Sequence, residues 1–316
     1  MTGGNAAAVT SVLAGELERR AEGWAAELGM DTELVRELSA IYLPVAMDLL
    51  RRRESIGDGP LMVGINGAQG SGKSTMLALL LRMFEQVLNV RCAGLSIDDL
   101  YLTREERQTL GARVHPLLAT RGVPGTHDVA LAHRVLDALS SPRTGKVAVP
   151  AFDKAVDDRQ LEVNWPQFDV PCELVILEGW CVGARAEPDT ALSTPCNVLE
   201  ADQDPGLRYR RYVNRCLAEQ YQSLFDRLDV LIMLKVPSFE CVQRFRTEQE
   251  HALLRRLLQV NPQATVMSDE QVARFVEHFE RLTRWMLHEM PTRADVLVTV
   301  EDDHRISSVE IRPSTV

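Results

Sequence analysis

Residues 61–75 read LMVGINGAQGSGKST, and this stretch decides the fold. A short apolar run, 61–65, breaks at Asn66-Gly67 into a loop holding three glycines, and the loop closes on Gly72-Lys73-Ser74 just ahead of a helical pattern. Residues 67–74 satisfy the phosphate-binding pattern G-x-x-x-x-G-K-[ST], in the strand–loop–helix context that the pattern requires. Gly67, Gly70 and Gly72 let the backbone turn inward so that its N–H groups converge on an anion. The following helix adds the positive end of its dipole at the same point. Gly67, Ala68, Gln69, Gly70, Ser71, Gly72, Lys73, Ser74 and Thr75 are therefore the expected nucleotide-binding residues, with Lys73 reaching the β/γ-phosphates and the Ser74 hydroxyl ligating Mg²⁺. At average residue usage such a match arises by chance in roughly one chain in a hundred, and correct flanks make an accidental match rarer still.

Outward from the loop, the chain alternates strand and helix. Residues 73–90 carry Met76, Leu77, Leu80, Leu81, Phe84, Val87 and Leu88 at helical spacing. Residues 91–97, 173–177, 229–236, 294–300 and 308–311 read as strands, 146–152 as a short extended piece, and 126–139, 207–228 and 238–258 as helices. Ser268-Asp269-Glu270-Gln271 is a capping box. It opens an amphipathic helix with Val272, Phe275, Val276, Phe279, Leu282 and Met286 on one face, stopped by Pro291. Repeated βα units with apolar strands predict an α/β fold, a mainly parallel sheet with helices on both faces. Ahead of this core, 12–53 is helical in pattern. Asp31 is the expected N-cap with Glu33 in the first turn, Leu34, Leu38, Ile41 and Tyr42 form a stripe, and Pro44 is expected to kink or end it. Residues 1–10 are small and polar, the composition of an unordered terminus.

Composition excludes several classes of function. A net charge of −10 argues against a general nucleic-acid binder, so any cations that hold an anionic ligand must be concentrated locally. No apolar run approaches the ~20 residues that span a bilayer, and the N-terminus lacks the basic-then-apolar order of a signal peptide. The expectation is a cytoplasmic protein with no membrane partner. The six cysteines show no C-x-x-C spacing and read as reduced thiols rather than bridges or zinc ligands. Nothing in the sequence indicates an oligomeric state.

Ligands of such sheets bind at the carboxyl ends of the strands, which narrows the candidates. One strand runs into Ser96-Ile97-Asp98-Asp99-Leu100-Tyr101 and another into Glu178. Phosphorylating a hydroxyl needs a carboxylate to accept its proton and an acid beside Mg²⁺. Asp98 suits the first role, with Asp99 next in line, and Glu178 the second. The segment Arg121-Gly-Val-Pro-Gly-Thr-His127-Asp128 leads into a helix and sets Arg121 and His127 beside its N-terminus. Arg121 is the candidate seat for an acceptor carboxylate and His127 a candidate donor, although Thr126 or Asp128 would serve equally as a plain N-cap. Phe152-Asp153-Lys154 and Asp158-Arg159 form a second charged loop, from which Asp153 and Arg159 join Tyr101 as acceptor-side candidates. Arg244 and Arg246 follow the strand at 229–236 on a segment able to fold over the phosphates as a lid. Arg208, Arg211, Arg215, Arg274, Arg281 and Arg284 read as surface arginines.

With these residues in hand, the chain resembles the P-loop kinases of the phosphoribulokinase, uridine kinase and pantothenate kinase group, and most of all their D-glycerate 3-kinase-type branch. The matching stretches are GINGAQGSGKST (64–75), SIDDLYLT (96–103), RGVPGTHD (121–128), PAFDKAVDDR (150–159), LEGWCVG (177–183), RFRTEQE (244–250) and MSDEQV (267–272), in family order. The resemblance implies a P-loop NTPase with a five-stranded parallel core and a helical lid region. It implies ATP with Mg²⁺, Asp98 as base with Tyr101 as its aromatic follower, and transfer of a phosphoryl group to a small hydroxylated, acidic substrate. Two departures touch the acceptor side. Only Ala155-Val156-Asp157 separates Lys154 from Asp158-Arg159 where plant-type glycerate kinases carry a glycine-rich insert, and Leu100 replaces the commoner Phe. The expected organisation is an N-terminal helical extension, 1–58, on a single P-loop kinase domain, 59–316. D-Glycerate is the leading acceptor, a nucleoside, pantothenate or another sugar acid the alternative. A regulatory P-loop ATPase or switch is the reading of a different class, disfavoured because no N-K-x-D guanine-reading motif is present.

Overall fold

The computed structural model describes residues 3–259 and 265–313. In chain order its elements are α1 (Gly3–Leu28), α2 (Thr32–Ser55), β1 (Leu61–Gly67), α3 (Lys73–Arg82), β2 (Cys92–Ser96), α4 (Arg104–Arg113), α5 (Val129–Leu139), β3 (Gly145–Ala148), β4 (Phe152–Asp153), β5 (Asp158–Arg159), β6 (Gln167–Val170) and β7 (Leu174–Gly179), followed by α6 (Val198–Gln203), α7 (Arg208–Cys216), α8 (Gln222–Phe225), β8 (Val230–Lys235), α9 (Phe239–Leu258), α10 (Asp269–Glu289), β9 (Val296–Val300) and β10 (Ile306–Ile311).

The main sheet has the order β10-β9-β8-β1-β7-β2. β2, β7, β1, β8 and β9 are parallel, and β10 returns antiparallel on β9. The sheet is therefore six-stranded where a five-stranded core was expected. The parallel part does have five strands. The sixth follows β9 through residues 301–305, a connection too short for a parallel crossover, so it must come back antiparallel.

Strand residues alternate between two apolar layers, as the pleat dictates. Leu61, Val63, Ile65, Leu174, Ile176, Ile232 and Val298 pack with Trp24 of α1, Leu49 of α2, Met76 of α3 and Phe245 of α9. Met62, Val175, Leu177, Leu231 and Met233 pack with Leu136 of α5 and Leu282 and Met286 of α10. Every residue of β1 is buried, as befits a central strand covered on both faces.

The N-terminal helices differ from expectation in three details. α1 already begins at Gly3, so only residues 1–2 of the segment read as unordered lie outside the described residues. α2 runs through Pro44, and Val45, Ala46 and Leu49 beyond it are fully buried. That packing outweighs the roughly 3 kcal/mol cost of an interior proline. The buried stripe of α2 runs through Val35, Tyr42, Val45 and Leu49, and Leu34 is exposed. Asp31 caps α2 as expected, accepting from the N–H groups of Glu33 and Leu34. Trp24 Nε1 donates to Gln86 Oε1 at 2.8 Å, and buried Arg52 donates to Asp48 Oδ2 and to the Arg312 carbonyl, each at 2.6 Å. The first ties α1 to the helical turn 83–87 after α3, and the last ties α2 to the residue that follows β10.

Among the described residues no helix is long and apolar enough to cross a membrane, and no three His, Cys, Asp or Glu side chains cluster as a metal-binding group. All six cysteines are unbridged.

Candidate active site

A cleft of about 340 Å³ opens at the carboxyl ends of β1, β2 and β7. Its floor is the glycine loop. Gly72 has φ +91° and is the N-cap from which α3 starts at Lys73. Gly70 has φ +79°, and a Cβ there would lie 2.5 Å from that of Phe245 in α9. A side chain at either position would be strained, so both glycines are required by the turn itself. Asn66, the last residue but one of β1, donates from Nδ2 to the carbonyls of Trp180 (3.0 Å) and Val182 (2.9 Å), which locks the loop to the end of β7.

Ser74 and Glu178 meet across this floor. The Ser74 hydroxyl donates to Glu178 Oε1 at 3.1 Å. Glu178 is buried, yet its Oε2 has no hydrogen-bond partner among the described residues, and neither has Ser71 Oγ within the loop. A hydroxyl beside a buried carboxylate with an oxygen to spare is the oxygen donor set of a magnesium ion that keeps several waters. The residues present therefore fit Mg²⁺, which Ser74 and Glu178 would hold.

The opposite wall carries Asp98, presented by a 3₁₀ turn after β2 in which Ser96 Oγ accepts from the Asp98 N–H at 3.2 Å. The Tyr101 hydroxyl donates to Asp98 Oδ1 at 2.9 Å, and Lys154 Nζ donates to Oδ2 at 2.8 Å. Burial opposes ionisation of Asp98. The charges of Lys154 and Lys73, with the hydrogen bonds from Lys154 and Tyr101, outweigh it and hold the carboxyl at about 2, so Asp98 is ionised at neutral pH. Each carboxylate oxygen keeps a lone pair for a further donor.

Several acceptor-side candidates lie elsewhere than the sequence suggested. His127 is buried behind Tyr101, its ring stacked on the phenol at 4.5 Å. Residues 126–128 run beside 100–102 as a short antiparallel bridge, with Leu102 N to Thr126 O at 2.9 Å and Asp128 N to Leu100 O at 2.7 Å, which leaves the imidazole no path into the cleft. The Tyr221 hydroxyl accepts from the N–H groups of Gly125 and His127, so its own proton goes to His127 Nδ1 at 2.6 Å. Burial pushes His127 down to about 4. It is a neutral, buried residue that packs behind Tyr101 and does not line the cleft. The α5 N-terminus is likewise no anion seat, because Asp128 Oδ1 accepts from the Leu131 N–H at 2.8 Å.

Arg159 points away as well, donating to the Tyr101 carbonyl at 2.7 Å and lying 3.5 Å from Asp128. Asp153 Oδ1 accepts from Ala155 N at 2.8 Å and shapes its own turn. Asp99 is half-buried and accepts from Phe152 N at 3.0 Å, and burial raises its pKa. Of the two lid arginines, Arg246 lines the cleft and Arg244 does not. Arg244 turns toward the β9–β10 connection and donates to the Asp302 carbonyl. One helix cannot aim residues two apart at the same point, which accounts for the split. Arg121 does line the cleft, paired with Asp157 and lying over the Phe152 ring.

Six further residues line the cleft without having been candidates: Ser96, Lys154, Trp180, Gln249, Phe275 and Phe279. Lys154 sits in the charged loop from which Asp153 and Arg159 were singled out, and the family motif PAFDK was the available signal. Phe275 and Phe279 read as core because they share the apolar stripe of α10, but the edge of that stripe lines the cleft, with Arg246 of α9 over the Phe275 ring.

No family model matches the chain. It is 35% identical over 227 residues to mug58, an uncharacterized kinase of Schizosaccharomyces pombe, an alignment spanning 70% of this chain and 78% of that protein. It is 31% identical over 228 residues to the chloroplastic D-glycerate 3-kinase of Arabidopsis thaliana, spanning 70% of this chain and 46% of that protein. Among solved structures, a D-glycerate 3-kinase of Cryptococcus neoformans superposes with a TM-score of 0.69 at 24% identity, over 84% of this chain and 96% of that one, a likeness of fold.

Proposed function

The chain belongs to the P-loop kinase family that includes D-glycerate 3-kinase, and on that premise we propose that it transfers the γ-phosphoryl group of ATP to a hydroxyl of a small acidic acceptor, in its most concrete form D-glycerate, giving 3-phosphoglycerate and ADP. In this reading residues 1–58 are a helical extension and 59–316 the kinase domain. The observation that carries it is that the phosphate loop, the Ser74–Glu178 pair and Asp98 all line one cleft. A phosphate-binding switch would have no use for an ionised, hydrogen-bonded aspartate facing its Lys73.

The residues divide the work as follows. The loop N–H groups and Lys73 bind the phosphates and balance charge on the departing ADP. A magnesium ion bound by Ser74 and Glu178 would neutralise the β- and γ-phosphate oxygens. Asp98 accepts the hydroxyl proton as the acceptor oxygen bonds to phosphorus, and the Tyr101 hydroxyl holds that carboxylate in register. Arg246, Phe275 and Phe279 cover the cleft and exclude water from it. The acidic character of the acceptor is supported by three cations besides Lys73, namely Arg121, Lys154 and Arg246, around the same opening.

An ADP-release assay over D-glycerate, L-glycerate, uridine, pantothenate and ribulose 5-phosphate tests the proposal. Release should depend on the acceptor and be fastest with D-glycerate. Release at the same rate without any acceptor would favour an ATPase instead.

A further inference from the structure

The three cations differ in how far they are already neutralised. Arg121 is paired with Asp157 on the turn between β4 and β5, a carboxylate it shares with buried Arg107 at 3.0 Å. Arg246 is bound at 2.6 Å to Glu250, a carboxylate only 6% exposed that also accepts from the Met267 N–H. Lys154 is 61% exposed, and its one ionic partner among the described residues is Asp98. The turn bearing Lys154 is firmly held. The Asp157 carbonyl accepts from buried Arg107 at 2.6 Å, and Asp158 Oδ1 accepts from the Arg104 N–H at 3.0 Å. The lysine side chain alone can therefore redirect without moving the backbone.

Taking Asp98 as the base, as the reading above does, phosphoryl transfer changes the charge beside Lys154. The acceptor O–H bond breaks and its proton passes to Asp98. The acceptor oxygen bonds to the γ-phosphorus, and the bond from that phosphorus to the β-bridging oxygen breaks, its electron pair leaving with ADP. Asp98 is then neutral and Lys154 has lost its counter-ion, while Arg121 and Arg246 keep theirs. We propose that Lys154, rather than Arg121, selects the acceptor: it leaves Asp98 Oδ2 for an anionic group, carboxylate or phosphate, that the acceptor carries near the attacked hydroxyl. An ammonium on a flexible stem can follow either anion, because it needs no fixed fork geometry. The site thereby discriminates acidic acceptors from their neutral counterparts.

Lys154→Met tests this with paired acceptors, D-glycerate with glycerol and ribulose 5-phosphate with ribulose. The side chain is exposed, so the substitution leaves folding intact. Losing one charge-assisted hydrogen bond should lower kcat/KM for the acidic acceptor about 10- to 100-fold, leave the KM of ATP in place, and lower the preference for acidic over neutral acceptor by the same factor. Lys154→Arg should recover part of the preference, and Arg121→Met should disturb it less. An unchanged preference, or an equal loss with both members of a pair, overturns the proposal. If the wild-type protein ignores D-glycerate but uses ribulose 5-phosphate, the assignment of substrate fails while the lysine test proceeds on that pair. Wild-type turnover of neutral acceptors alone overturns the role of Lys154.

Discussion

The Ser74 hydroxyl donates to Glu178 Oε1 across 3.1 Å, joining the first turn of α3 to the end of β7, and leaves Glu178 Oε2 buried without a hydrogen-bond partner among the described residues. An unpaired buried carboxylate oxygen is costly, and a cation at that spot removes the cost. Glu178→Gln should therefore raise the magnesium concentration at half-maximal rate by about 10- to 100-fold. Initial rates across a magnesium titration at fixed ATP measure this, and an unchanged midpoint would remove Glu178 from the metal site.

Asp98 accepts from Tyr101 and Lys154 and is held ionised by the charges around it. Asp98→Asn should fold and bind ATP but lose about 10²–10⁴ in kcat. A loss below about tenfold would assign proton acceptance elsewhere. Asp99→Ala should instead cost about 1 kcal/mol of stability and leave kcat within about tenfold, because it removes the acceptor of the Phe152 N–H. Calorimetry and steady-state rates on the two variants separate these effects.

Arg246 lines the cleft and Arg244 faces the β9–β10 connection. Arg246→Ala should lower kcat by about 10²-fold, the usual loss when one preorganised donor is removed from a developing charge. Arg244→Ala should leave kcat within about fivefold, as befits a half-exposed pairing. Equal losses in the two variants would mean that α9 changes its orientation in the catalytic complex.

Burial lowers His127 from its usual 6.5 to about 4. Between those values the unfolded chain takes up a proton that the folded protein does not, so stability falls as pH is lowered from 6.5 towards 4, by up to about 1.4 kcal/mol per pH unit. His127→Phe retains a ring against Tyr101 and removes the titration. Its melting temperature should fall less steeply than wild type between pH 7 and pH 5, whatever the constant offset from the lost Tyr221 bond. Parallel slopes would show that His127 titrates in the folded state.

The glycine loop, Asp98 and Glu178 could be read from the chain because each is tied to a local signal: a turn that only glycine can make, or a strand that ends. Gln249, Phe275 and Phe279 could not, since what brings them to the cleft is the packing of α9 and α10 against distant strands, and Lys154 stood inside the PAFDK motif with no local sign of its bond to Asp98. The same limit explains His127 and Arg159. A histidine in a glycine-rich loop and an arginine in a charged loop look like ligands until the antiparallel contact of 126–128 with 100–102 turns the first inward and the β4–β5 pairing sets the second on the Tyr101 carbonyl. Pro44 shows the converse, a strong local signal overridden because α2 is held by the sheet beneath it.

Product analysis tests the central claim most directly. Wild-type protein and Lys73→Ala are each incubated with magnesium, ATP and D-glycerate, and ADP and phosphorylated acceptor are quantified by mass spectrometry. The account predicts equal amounts of ADP and phosphoglycerate with the wild type and neither with Lys73→Ala. ADP formed without a phosphorylated acceptor, or turnover retained by Lys73→Ala, would contradict it.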